Sequence, residues 1–353
     1  MTIEDTIREA LKAAGLLTGI PVAIAADSTL AASASGLQQE QKDEENPAPP
    51  AGQFLERTYE SPAGSCNYKL YLPARAAQPV TLRPLLIMLH GCTQGPDDFA
   101  AGTCMNGLAD RYGFLVAYPA QSAAANGMKC WNWFRSADQM RDAGEPALLV
   151  GITREIMAEH AINPRGVLVA GMSAGAAMAV ILGVNYPELY AAVGAHSGLP
   201  YRAATGDALA AMAAMRGVRA AQPSRRARAG SRARSSPALA GRFVPTIVFH
   251  GDADATVDAG NGSLIVAQAV LRAEASGRRL QKVIQERGDS EGRGVTVTTY
   301  RDSTPIPCVE HWLVHGAGHA WSGGSPDGSC TDPVGPDAST QMIRFLLSHV
   351  AEN

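Results

Sequence analysis

Four short apolar runs punctuate the chain, and each ends in glycine-rich polar sequence. Leu85-Leu86-Ile87-Met88-Leu89 runs into His90-Gly91-Cys92-Thr93-Gln94-Gly95, and Val167-Leu168-Val169-Ala170 runs into Gly171-Met172-Ser173-Ala174-Gly175. Thr246-Ile247-Val248-Phe249 leads to His250-Gly251-Asp252-Ala253-Asp254, and Val309 to Val314 leads to His315-Gly316-Ala317-Gly318-His319. Runs that are apolar at nearly every position, rather than at every second one, predict strands buried on both faces, as in a parallel sheet covered by helices. The small-residue stretch Ala174 to Gly183 predicts a helix after the second run, and another strand is expected about Tyr190 to Gly194. At the start of the chain Ile3, Ile7, Ala10, Leu11 and Ala14 recur at helical spacing, which predicts a short amphipathic packing helix. Residues 35–52 lack apolar periodicity and carry Pro47, Pro49 and Pro50, so they read as a linker. The expected organisation is therefore a helix and linker over 1–52 and one α/β domain over 53–353, opening near Phe54.

Candidate chemistry sits at the strand ends. Gly171-Met172-Ser173-Ala174-Gly175 follows a strand and precedes a helix, the context in which a strained turn presents a nucleophilic serine. A serine hydroxyl is a weak nucleophile near neutral pH; it needs a base to take its proton and a carboxylate to fix the tautomer of that base. Serine, then acid, then histidine along the chain is the order used by the α/β-hydrolase fold. Asp254 is the expected acid, because it lies farther along its loop than Asp252, which is placed to cap the local turn. His319, flanked by glycine on a loop able to lean over Ser173, is the expected base in preference to His315. His90, His196, His250 and His315 read as strand-end histidines bonded to backbone. The loop after Leu89 is where this fold supplies a backbone N–H to an oxyanion, which nominates Cys92 together with Ala174.

Five separated loops carry a resemblance. His90-Gly91-Cys92-Thr93-Gln94, Cys130-Trp131-Asn132-Trp133-Phe134, the serine pentapeptide, His250-Gly251-Asp252-Ala253-Asp254 and Gly318-His319-Ala320-Trp321-Ser322-Gly323-Gly324 together resemble the polyhydroxybutyrate depolymerase family of esterases, from about Phe54 to Leu347. The resemblance implies an α/β-hydrolase fold with a Ser-His-Asp triad acting on short-chain poly(3-hydroxyalkanoate) or its oligomers. That family shades into feruloyl and acetylxylan esterases, which leaves a carbohydrate esterase with the same residues as the alternative. A noncatalytic polyester-granule binding protein is the alternative of another class, and the intact Ser173, Asp254 and His319 argue against it. Trp131, Trp133 and Trp321, three of four tryptophans, lie beside these motifs and are expected to wall the substrate site.

A net charge of -3 and 18% charged residues give no basis for a nucleic-acid partner, and no run of eighteen unbroken apolar residues predicts a membrane span. Between Tyr201 and Arg242 stand nine arginines and one acid, Asp207, where α/β-hydrolases insert lids. Ala208 to Met215 is expected to be a helix over the active site, and Gln222 to Ser236 a solvated loop. Cys66, Cys92, Cys104, Cys130, Cys308 and Cys330 form an even set in which Cys92 and Cys130 lie on motif loops that should meet; disulfides and reduced thiols both remain open. No cofactor and no metal is expected, as no Cys-x-x-Cys pair occurs. Gly19 to Ala26 with Ala32-Ser33-Ala34 resembles an export signal, but Glu4, Asp5 and Glu9 precede it, so a cytoplasmic location is expected. Secretion is the alternative that six cysteines support.

Overall fold

In the computed structural model, which describes residues 52–74, 82–206, 208–217, 242–288 and 292–350, alternate residues of the apolar runs serve two different cores. Leu85, Ile87 and Leu89 point into one layer, with Val167, Val169 and Val248. Leu86 and Met88 point into the other, with Leu168, Ala170, Ile247 and Phe249. This is the two-sided burial that continuous apolar runs imply, and each fully buried Leu, Ile or Val side chain contributes about 1.5–3 kcal/mol of transfer free energy.

The strands are β1 (Gln53–Ser61), β2 (Gly64–Leu72), β3 (Arg83–Leu89), β4 (Leu115–Pro119), β5 (Ile162–Met172), β6 (Ala192–His196), β7 (Thr246–Gly251), β8 (Gln281–Arg287), β9 (Val295–Arg301) and β10 (Val309–Val314). They form one sheet in the order β1-β2-β4-β3-β5-β6-β7-β10-β9-β8. The centre, β4-β3-β5-β6-β7-β10, is parallel, and antiparallel hairpins close both edges. Two residues in each of β11 (Trp321–Ser322) and β12 (Thr331–Asp332) pair separately. Helices α1 (Pro96–Thr103), α2 (Met105–Tyr112) and α7 (Ala338–Leu347) supply Phe99, Met105, Met342 and Phe345 to one core. On the other face lie α3 (Gly144–Glu159), α4 (Ala174–Asn185) and α6 (Gly260–Ala275) with Leu149, Met178 and Ile265. This three-layer arrangement is the α/β-hydrolase architecture implied by the sequence.

All four glycine-rich loops leave the carboxyl ends of parallel strands, the side of an open α/β sheet where ligands bind. The expected helix over Ala208–Met215 is present as α5. It buries Ala211 and Ala214, and the carbonyl of Ala214 accepts an N–H from Asn261 at the start of α6, 3.0 Å away. It is thus docked just downstream of the Asp254 loop. The expected solvated loop Gln222 to Ser236 and the N-terminal helix and linker lie outside the described residues. No helix among the described residues is long and apolar enough to cross a membrane.

Candidate active site

Ser173 stands between β5 and α4 with φ 56° and ψ -119°. A non-glycine residue in that region costs on the order of 1–3 kcal/mol and persists only where its surroundings fix it. Here the Ser173 N–H donates to the His196 carbonyl at 2.9 Å, and the Ser173 carbonyl accepts from Ala177 N–H at 3.0 Å. The flanking glycines are required by contact: a Cβ on Gly171 would lie 2.5 Å from the Gly175 carbonyl carbon, and one on Gly175 would overlap the carbonyls of Leu89 and His90. Their absence lets α4 start hard against the end of β3. As a result a Cβ built on Gly91 would be only 3.6 Å from the Ser173 Cβ, so the His90-Gly91-Cys92 loop flanks the serine.

The two aspartates of the β7 loop take different partners. The Asp254 side chain is wholly enclosed, and its Oδ2 accepts from His319 Nδ1 at 2.7 Å. Its Oδ1 accepts the N–H groups of Thr256 at 2.9 Å and Val257 at 2.8 Å, which fixes the carboxylate plane. Burial alone would raise its pKa, but His319 and His250 together hold it well below the ordinary carboxylate range. Asp254 is therefore an acceptor only, and the proton of the shared hydrogen bond belongs to His319 Nδ1. Asp252 instead accepts from His315 Nδ1 at 2.9 Å and from Gly316 N–H at 2.7 Å, both at the surface. His315 therefore departs from the backbone-bonded role expected of it; its Nε2 contacts Thr296 Oγ1 at 2.9 Å. His315 and His319 are spaced like metal ligands, but they turn to different carboxylates, and no cluster of three potential ligands occurs among the described residues.

Ser173 and His319 are both nearly enclosed and share His196 as a support. The His196 carbonyl holds the Ser173 N–H, while its Nε2 accepts the N–H of Ser322, three residues beyond His319, at 3.0 Å. Its ring is stacked between Phe249 and Trp321, and burial pushes its pKa down to about 3, so it stays neutral. No hydrogen bond joins Ser173 Oγ to His319, a contact that in ligand-free hydrolases often closes only on substrate binding.

The loop after β3 is tied down from several sides. Cys92 is disulfide-bonded to Cys130, and Thr93, at φ 68°, donates its N–H to the Met128 carbonyl at 2.7 Å. The remaining cysteines, Cys66, Cys104, Cys308 and Cys330, are free. His90 contacts the Gly91 carbonyl through Nδ1 at 2.7 Å and accepts the Gln121 N–H at Nε2, 3.1 Å away. Burial lowers the His90 pKa to about 4, and the neutral ring suits one donor and one acceptor bond. Neither the Cys92 N–H nor the Ala174 N–H donates to another described residue, so both are available to an incoming oxygen.

The three tryptophans expected to wall the site are all buried in the core. Trp321 is 1% exposed, packs edge-on against Phe99 and donates its indole N–H to Ser339 Oγ at 3.0 Å. Trp131 is 2% exposed and donates to the His90 carbonyl at 3.2 Å. Trp133, also buried, packs against Phe134. The loop of Trp131 and Trp133 is held by Glu145, at the start of α3. Its Oε2 accepts the Asn132 N–H at 2.7 Å, and its Oε1 accepts from the side chains of Asn132 and Gln121, both at 2.5 Å. Those bonds draw the Cys130–Phe134 loop inward. Burial, reinforced by Asp138, raises the Glu145 pKa to about 7. Asn132 lies within the Cys130–Phe134 motif, but no sequence signal marked Glu145 or Gln121, since a buried acid at the first turn of a helix reads as an ordinary favourable dipole contact.

Comparison with known proteins agrees with this architecture. The sequence profile of the family Esterase PHB depolymerase matches residues 66–282. The chain is 30% identical over 239 residues to poly(3-hydroxyalkanoate) depolymerase C of Paucimonas lemoignei, covering 67% of this chain and 54% of that protein. It is 30% identical over 141 residues to feruloyl esterase B of Neurospora crassa, covering 40% and 46% respectively. The chain thus spans about half the length of the curated relatives it matches. Among solved structures, an acetyl xylan esterase from Aspergillus awamori superposes with a TM-score of 0.61 at 18% identity, over 84% of this chain and 99% of that one. On the extent of the profile match, this α/β-hydrolase chain belongs to the Esterase PHB depolymerase family.

Proposed function

We propose that the protein is a serine carboxylic-ester hydrolase that cleaves short-chain poly(3-hydroxyalkanoate) or its oligomers through an acyl-enzyme. The observation that carries this reading is the strained Ser173 at the head of α4 together with a buried, ionised Asp254 bonded to His319. Neutral His319, its Nδ1–H given to Asp254, takes the Ser173 proton at Nε2 as the hydroxyl attacks the ester carbonyl. The free N–H groups of Cys92 and Ala174 receive the tetrahedral oxyanion, where each preorganised donor is worth roughly 3–4 kcal/mol. His319 then protonates the departing alcohol, and water repeats the sequence to release the acid. The disulfide that anchors Cys92 holds one of these donors in place and fits an oxidising compartment, which supports the export reading over the cytoplasmic one.

The polyester reading draws on the family and on the depolymerase relative. A carbohydrate-esterase reading has its own support in the similarity to feruloyl esterase B over 141 residues. Rates measured side by side on amorphous poly(3-hydroxybutyrate), its soluble oligomers, methyl ferulate and acetylated xylan separate them. Preference for the hydroxybutyrate esters is expected, and faster turnover of methyl ferulate or acetylxylan would transfer the assignment to the second reading.

A further inference from the structure

The ten-stranded sheet ends on β8, and the two sheet edges differ. At the far edge β1 is backed by side chains: Phe54 packs edge-on against Tyr71 and Tyr118. At this edge all seven residues of β8, Gln281 to Arg287, are exposed, including Val283 and Ile284 at 42% and 55%. β8 pairs with β9 in unbroken antiparallel register from Gln281↔Arg301 to Arg287↔Val295, so one row of its backbone N–H and C=O groups is directed away from the sheet. Edge strands are ordinarily blunted by proline, a bulge, a covering element or charged side chains, because such a row is a template for another strand, and of these β8 carries only charges, Lys282, Glu286 and Arg287. β8 has no proline and no bulge.

We propose that β8 is an interface between two copies of this chain, joined edge to edge about a two-fold axis through Ile284. The sequence of the strand fits itself in that register. Antiparallel pairing centred on Ile284 sets Lys282 opposite the second copy's Glu286, and Glu286 opposite its Lys282, while Ile284 meets Ile284 and Val283 meets Gln285. Both ion pairs and the Ile284 pair fall on one face of the joined sheet, because residues two apart share a face. The next allowed registers, shifted by two residues, set both charges opposite Ile284 or neutral neighbours and lose every opposite-sign pair. Among the described residues neither Lys282 nor Glu286 has an ion-pair partner within the chain, so the charges are available to a second copy. A two-fold contact of this kind uses the same patch twice and closes, so it yields a dimer rather than a filament. The result is one continuous sheet of twenty strands.

The test uses the full chain and charge reversal. Sedimentation velocity over a concentration series is expected to show a monomer–dimer equilibrium that weakens as salt is raised. Lys282→Glu and Glu286→Lys each replace two attractive pairs by two repulsive ones and are expected to raise the dimer dissociation constant by about tenfold or more. Combining both reversals restores self-complementarity and should return the constant to within about threefold of the native one. Hydrolysis of p-nitrophenyl butyrate, which none of these residues touches, should be unchanged throughout and serves as the control for folding. A native chain that stays monomeric up to about 1 mM overturns the proposal. So does a dimer that neither single reversal weakens, or a double variant no better than the singles.

Discussion

Exchanging each aspartate of the β7 loop for asparagine separates the role of Asp254 from that of Asp252. In Asp254→Asn the side-chain oxygen can keep the Thr256 and Val257 N–H bonds at 2.9 and 2.8 Å, so the loop should hold its shape. The amide nitrogen then replaces Oδ2 and points at His319 Nδ1 across 2.7 Å. Two donors cannot share that contact, and His319 relieves it by moving its proton to Nε2, where the proton blocks base catalysis. The same change of tautomer in serine proteases lowers kcat by about ten-thousandfold, or roughly 5.5 kcal/mol. Asp252→Asn loses only a surface bond to His315 while its oxygen keeps the Gly316 N–H, so kcat should stay within about tenfold of native. Steady-state kcat and KM on p-nitrophenyl butyrate, with thermal melts to check folding, give the comparison. A larger loss in Asp252→Asn, or near-native kcat in Asp254→Asn, would refute the assignment of the acid.

Other consequences are equally open to measurement. Gly175→Ala forces a Cβ onto the Leu89 carbonyl and should destabilise the fold by about 3 kcal/mol or more; a melting temperature within about 2 °C of native would contradict the packing at the elbow. Burial lowers the pKa of His90, His311 and His349 to about 4 and of His196 to about 3, so as pH falls from about 6.5 the unfolded chain takes up protons that the folded one refuses. Glu145, raised to about 7, and Asp138, raised by burial, act oppositely and lose stability as pH rises, but four histidines outweigh two carboxyls. Stability should therefore fall between about pH 6.5 and 4, and a melting temperature as high at pH 4.5 as at 7 would contradict this. Breaking the Cys92–Cys130 bond, which closes a separation of 38 residues, should cost up to about 4 kcal/mol and lower kcat more than it raises KM. Cys92→Ser/Cys130→Ser, assayed for both, checks it; unchanged kcat would detach the disulfide from the oxyanion loop.

The parallel core and its strand-end loops were legible in the sequence because burial on both faces demands uninterrupted apolar runs, and the chain supplies them at Leu85–Leu89, Val167–Ala170 and Thr246–Phe249. The elbow was legible for a similar reason, since only glycine fits at positions 171 and 175. Side-chain direction was not. Trp131, Trp133 and Trp321 stand beside the motifs in sequence, and all three are buried, the loop of the first two held by the Asn132 bonds to Glu145 and Trp321 by its own bond to Ser339. Those partners, 13 residues apart for Asn132 and Glu145 and 18 for Trp321 and Ser339, follow no spacing rule. His196 was expected at a strand end with a backbone bond, and it has one; its position between the serine turn and the Trp321 strand depends on a sheet order that no local pattern encodes.

The central claim is that Ser173 is the nucleophile, and turnover of p-nitrophenyl butyrate by Ser173→Ala tests it most directly. The hydroxyl makes no hydrogen bond to His319 in the resting structure, so its removal should leave the fold intact, verified by an unchanged melting temperature. The account predicts a kcat lower by about a thousandfold or more, the residue being what binding and the oxyanion donors achieve alone. Native-like turnover in the folded variant would contradict it.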